Sequence, residues 1–128
     1  MVNIKCCPIE IALSHIGKKW AINIVRDLFE GKKRFNEFLK ANEKISTKML
    51  SARLKELEQD KILTKNITNM SPITIEYKLT DRGIALNKIL YEMAVFSLNE
   101  YGKEVFDREP RSKEKYHAMM KKILEVKE

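Results

Sequence analysis

The spacing of apolar residues changes once along this chain, and that change limits the folds open to it. Over 46–60, Leu50, Leu54 and Leu57 fall at i, i+4 and i+7, one narrow stripe on a helix. From Ile62 the sequence turns β-branched and Thr-rich, and over 74–80 it alternates. Ile75, Tyr77 and Leu79 then share one face, and Glu76 and Lys78 the other. Asn69-Met70-Ser71-Pro72-Ile73 supplies turn residues between the two runs. The expectation is a helix that feeds straight into a two-stranded hairpin.

Helical periods flank this unit on both sides. Residues 8–16 read as a short helix, with Pro8 in its first turn and a break at Gly17. Residues 19–30 carry Trp20, Ile24 and Leu28 at helical spacing, and Gly31 is expected to close that helix in the left-handed conformation. A third helix over 34–41 should bury Phe35, Phe38 and Leu39. Ser46 or Thr47 can cap the fourth. After the hairpin, Thr80 or Asp81 can cap one long helix over about 82–106. A last amphipathic helix over about 112–127 should bury Tyr116, Met119, Met120, Ile123 and Leu124. The fold class is therefore mainly α with a small β-hairpin wing. The order of a helix pair followed at once by a hairpin is that of a winged helix-turn-helix, whose second helix enters the DNA major groove.

Charge points the same way. The chain has 128 residues and a net charge of +7, which suits a polyanionic partner. Residues 17–65 hold thirteen Lys or Arg against seven Asp or Glu, so +6 of that excess sits on one segment. On the fourth helix, the side opposite the leucines holds Lys48, Ala52, Lys55 and Gln59, with Ser51 on its shoulder. That face is small, polar and basic. No stretch approaches 18 apolar residues and the first residues lack a signal-peptide run, so a cytoplasmic location without membrane contact is expected.

Four stretches then resemble the HxlR family of winged-helix transcriptional regulators. They are Cys7-Pro8-Ile9-Glu10 with Ile16-Gly17 and Lys19-Trp20; Glu30-Gly31-Lys32-Lys33-Arg34-Phe35; Ile45-Ser46-Thr47-Lys48-Met49-Leu50-Ser51 with Leu54-Lys55-Glu56-Leu57; and Ile75-Glu76-Tyr77-Lys78-Leu79-Thr80-Asp81-Arg82-Gly83. The match runs from Cys7 to about Tyr101. It departs from the family at Lys61, where the family has Gly and the left-handed conformation is expected, at Ser71-Pro72 in place of two prolines, and at Lys32 in place of Pro. The resemblance implies a homodimer on double-stranded operator DNA, probed by two recognition helices in successive major grooves. On this reading 1–128 is a single winged-helix domain. About 8–80 is the helix-turn-helix core and wing, and about 82–127 supplies C-terminal dimerisation helices beside the N-terminal one.

Candidate residues follow. Ser46, Thr47, Lys48, Ser51, Ala52, Arg53 and Lys55 are the expected recognition-helix contacts, with Arg53 near the core flank and so either on phosphate or packed. Lys18, Lys19, Lys33, Arg34 and Lys44 are candidate phosphate contacts, and Lys65, Asn66, Asn69 and Ser71 candidate wing contacts. For each the plain alternative is a solvated surface residue. Ile9, Leu13, Ile89, Met93, Phe96, Tyr101, Met119 and Ile123 are the candidate dimer interface. The resemblance implies that some members use the Cys before Pro8 as a thiol switch, so Cys7, with Cys6, is a candidate sensor of an oxidant or electrophile. A thiolate at a helix N-terminus is favoured by the dipole. The alternative is a small buried hydrophobe in the dimer.

Little else in the sequence carries chemistry. His15 and His117 lie far apart, no Cys/His spacing fits zinc, and no Gly-rich phosphate loop or catalytic triad is present, so no enzyme activity and no cofactor are expected. His15 is expected to be a packed interface residue, and Trp20 and the methionines core. Two other readings compete: a winged-helix protein-interaction module, and a regulator that senses a small ligand in a pocket at the dimer interface.

Overall fold

The computed structural model describes residues 5–106 and 110–126. It divides into two compact units, one ending at Gly83 and one beginning at Ile84. Among the described residues no helix is long and apolar enough to cross a membrane.

The first unit holds four helices and the hairpin: α1 (Pro8–Ile16), α2 (Ala21–Phe29), α3 (Phe35–Ala41), α4 (Thr47–Gln59), β1 (Leu63–Met70) and β2 (Ile73–Leu79). Its core is built by Ala21, Ile24 and Val25 of α2, Phe38 of α3, the three leucines of α4, and Ile62 and Leu63 at the start of the wing, all buried. Each fully buried Leu or Ile contributes about 1.5–3 kcal/mol. Phe35 and Leu39, expected in the core, are only half-buried, because α3 is two turns long and turns one face inward at Phe38.

Local signals set the ends of these helices. α2 begins two residues later than its spacing suggests, because Trp20 sits in the left-handed region at φ 78°. It closes at Gly31, at φ 98°, where Gly31 N–H donates to Leu28 O and Lys32 N–H to Asp27 O. At the head of α3 the Glu37 carboxylate accepts from the N–H groups of Lys33 and Arg34. Ser46 caps α4, its Oγ accepting from Met49 N–H at 3.0 Å. Lys61 takes the left-handed position after α4 at φ 60°, which costs a non-glycine residue about 1 kcal/mol, and Ile62 N–H then donates to Leu57 O.

The hairpin is longer than its sequence suggests. Asn69, Met70 and Ile73 lie in the strands, leaving a two-residue turn at Ser71 and Pro72. The strands pair antiparallel, Leu63 with Leu79 through Met70 with Ile73, with a bulge at Thr68. On the outer edge of β2, Tyr77 N–H donates to Lys33 O at 2.7 Å, which ties the wing to the lead-in of α3. Thr80 joins the base of the wing to α5 (Asp81–Ile84), accepting from Gly83 N–H and donating to the carbonyls of Lys61 and Ile62. A Cβ at Gly83 would collide with the Ile62 carbonyl oxygen, so only glycine permits that approach.

The single long helix expected over 82–106 is three pieces: α5, α6 (Asn87–Glu100) and α7 (Gly102–Val105). Asn87 Oδ1 accepts from Lys88 N–H, a side-chain bond that competes with helix continuation, and Gly102 weakens the helix at the second break. α8 (Pro110–Ile123) completes the second unit; position 127 of the helix expected there lies outside the described residues. Leu90, Tyr91, Leu98, Met120 and Leu124 are buried, and Tyr91 OH meets His117 Nε2 at 2.6 Å between α6 and α8. Met119, expected inside, is 47% exposed, since it lies off the Tyr116–Met120–Leu124 stripe.

Candidate nucleic-acid interface

The C-terminal end of α3 is tied to α2 by a buried ionic cluster that the sequence reading missed. Asp27 is fully buried, accepting from Arg26 on one oxygen and from Asn42 Nδ2 at 2.8 Å on the other. Asn42, just past α3, also donates to Phe38 O. A buried carboxylate is tolerable because both oxygens are partnered. The available signal was an acid on the apolar side of α2, three residues from Ile24 and two from Val25.

With Leu50, Leu54 and Leu57 inward, α4 presents Thr47, Lys48, Ser51 and Lys55 to solvent, with Ala52 half-buried beside them. Ser46 is exposed at the N-cap, where its hydroxyl can still donate outward. Arg53 packs instead: its Nε donates to Lys19 O at 2.9 Å and its Nη1 to Glu56 at 3.0 Å.

The five candidate phosphate cations divide by what already holds them. Lys18 is paired with Glu56, and Lys33 and Arg34 both face Glu76 at 3.4 and 3.6 Å. Lys19 lies over the Trp20 ring at 5.3 Å. Lys44 is exposed with no acid partner among the described residues, as are Lys48, Lys55 and Lys65. On the wing, Asn66 Nδ2 donates to Thr64 Oγ1, and Asn69 Oδ1 accepts from Ser71 N–H. Tyr77, packed edge-on to Phe38, has its phenol pushed above its ordinary value by burial and by the nearby Glu58 charge.

His15 is not packed among apolar groups. It is half exposed, and its Nδ1 sits 3.0 Å from Asp60 Oδ2 at the end of α4. Trp20 is half-buried rather than core. Cys6 and Cys7 are both free and exposed, and Cys7 occupies the N-cap position of α1, its carbonyl accepting from Ile11 N–H.

The candidate interface residues are apolar and open to solvent. Ile9 and Leu13 are exposed on α1; Ile89, Met93 and Phe96 on α6; and Tyr101 and Met119 elsewhere in the second unit, with Ile123 half-buried. Ile89, Met93 and Phe96 lie together on one open, mostly apolar face of α6 with Lys88, Glu92 and Ser97. Among the described residues no group of three or more His, Cys, Asp or Glu is placed to hold a metal.

The family model described as HxlR-like helix-turn-helix matches residues 15–108. Among curated relatives, the uncharacterized regulator YdeP of Bacillus subtilis is 37% identical over 102 residues, spanning 80% of this chain and 76% of its own. The Bacillus subtilis regulator YodB is 39% identical over 97 residues, 76% of this chain and 87% of that one. The solved reduced form of YodB superposes with a TM-score of 0.66 at 37% identity over 76% of this chain and 95% of that one. The redox regulator HypR, solved in its oxidized form, superposes at 0.69 with 36% identity over 73% and 97%.

Proposed function

The chain belongs to the HxlR-like helix-turn-helix family, DNA-binding transcriptional regulators rather than enzymes, and from that premise we propose that it works as a homodimeric, sequence-specific repressor. The observation that carries the reading is the two-sidedness of α4: leucines inside, and Thr47, Lys48, Ser51 and Lys55 outside with no acid among them. The short Ser51 and Ala52 let the helix approach the groove floor, where hydroxyls, ammonium groups and a methyl are suited to base edges and thymine. Lys44, Lys48, Lys55 and Lys65 neutralise phosphates without first breaking an ion pair, and each contact releases counterions. Arg53 acts as a strut that fixes α4 to the turn before α2.

Dimerisation buries the exposed apolar side chains of α1 and α6, which a lone subunit leaves in water. Two copies place two recognition helices one DNA turn apart. A dimer held on its operator bars other proteins from that stretch, which is repression.

Lys48→Ala should weaken operator binding and lower its salt dependence in a gel-shift titration; unchanged affinity and slope would remove Lys48 from the contact set. Signal sensing is assigned to Cys7, exposed at the N-cap of α1 beside the proposed dimer face. YodB, one of the relatives, is solved in reduced, diamide-treated and quinone-bound forms, and this similarity supports an oxidant or electrophile as the effector. Modification of Cys7 would alter the packing of α1 and so the spacing of the two recognition helices. A Cys7→Ser protein that still releases DNA on electrophile treatment would overturn that assignment.

A further inference from the structure

One face of the wing carries an apolar stripe past the core and out into solvent. Strand partners share a face, so Leu63 with Leu79, Ile67 with Ile75 and Met70 with Ile73 lie along one side of the hairpin. Ordinary alternation would put Met70 on the other side. The bulge at Thr68 shifts the phase by one residue and brings Met70 back. Burial falls along this stripe from Leu63 at the base to Ile67, Met70 and Ile73, which are 57%, 72% and 65% exposed. The opposite face is polar, with Thr64 against Lys78, Asn66 against Glu76 and Asn69 against Thr74.

We propose that Met70 and Ile73, at the tip around Ser71-Pro72, form an apolar wedge that enters the minor groove of the operator and bends it. This rests on the reading of the chain as an operator-binding protein. Charge favours duplex DNA as the occupant. The apolar face carries Lys65 and no acid, and the hairpin's one carboxylate, Glu76, lies on the other face beside Lys33 and Arg34. The wing also follows α4 directly through the turn at Lys61. Apolar wedges of Met, Ile, Leu or Pro partly unstack a base step and kink the duplex, and their contribution does not depend on salt.

The test uses the full chain on an end-labelled duplex recovered by selection from random sequence, with bending read by energy transfer between the labels. The wild type should shorten the end-to-end distance. Met70→Ser/Ile73→Ser should lose the bend and about tenfold in affinity at an unchanged salt slope, since no charge is removed. Met70→Leu/Ile73→Leu should keep both. Both substituted positions are exposed, and a melting curve checks that each variant folds. If the serine pair does not fold, Met70→Gln alone is read instead. Binding and bending equal to wild type would overturn the wedge. So would a serine pair that leaves DNA affinity intact but changes the sedimentation of the free protein, which would make the tip a contact between copies. Lys48→Ala, run alongside, separates the two ideas. A loss of affinity there with none in the tip variant sinks the wedge and leaves the α4 reading standing.

Discussion

Helices α4 and α6 are of nearly equal length, at 13 and 14 residues, and solve opposite surface problems. α4 turns three leucines inward and leaves hydroxyls and ammonium groups in solvent. α6 buries Leu90, Tyr91 and Leu98 yet leaves Ile89, Met93 and Phe96 exposed. An outer face like that of α4 is stable in water and needs no cover until DNA arrives. An outer face like that of α6 is unfavourable in water and calls for an apolar partner of the same kind. On the proposed reading, the difference separates two recognition tasks between these helices: small polar and basic groups on α4 for the nucleic acid, and apolar area on α6 for a second copy.

The comparison can be broken first at the inner face of α4. Leu54→Ala should destabilise the protein by about 2–5 kcal/mol in a denaturant melt, whereas Lys55→Ala should change stability by no more than about 0.5 kcal/mol while weakening DNA binding. Equal effects on stability would mean that α4 is not two-sided. On α6 the expectation reverses. Met93→Ser/Phe96→Ser should leave a folded protein that sediments as a monomer, with operator affinity reduced because the half-sites are no longer linked. A variant that stays dimeric would move the interface elsewhere. A smaller effect sharpens the charge side. Glu76→Gln frees Lys33 and Arg34, so a plot of log affinity against log salt should steepen by about one to two units, at about 0.9 per added phosphate contact. No change in slope would show that neither cation reaches the backbone.

Local features were legible in the sequence and long-range ones were not. Leu50, Leu54 and Leu57, the cap at Ser46 and Gly31 follow from spacing and from backbone chemistry within a few residues, and the left-handed Lys61 from the resemblance, at a position where the family has Gly. Glu56 and Glu76 could not be read that way. Glu56 takes Lys18 from 38 residues away, and Glu76 faces Lys33 and Arg34 across the wing, so three expected phosphate cations carry an internal partner. The broad apolar stripe of 82–106 suggests one helix, but Asn87 and Gly102 both favour breaks within it. The apolar wing tip was hidden by parity: the bulge at Thr68 puts Ile67 and Met70 on one face although they are an odd number of residues apart.

On the proposed reading, the outer face of α4, carried twice by a dimer, reads duplex DNA. The most direct test of that reading is selection of bound sequences from a random duplex pool by the full chain at a fixed, stated salt concentration. Enrichment of one two-fold symmetric motif with half-site centres about 10 base pairs apart is the expected result. Recovery of sequences without a common motif, or of a single half-site bound as tightly as the full one, would contradict it.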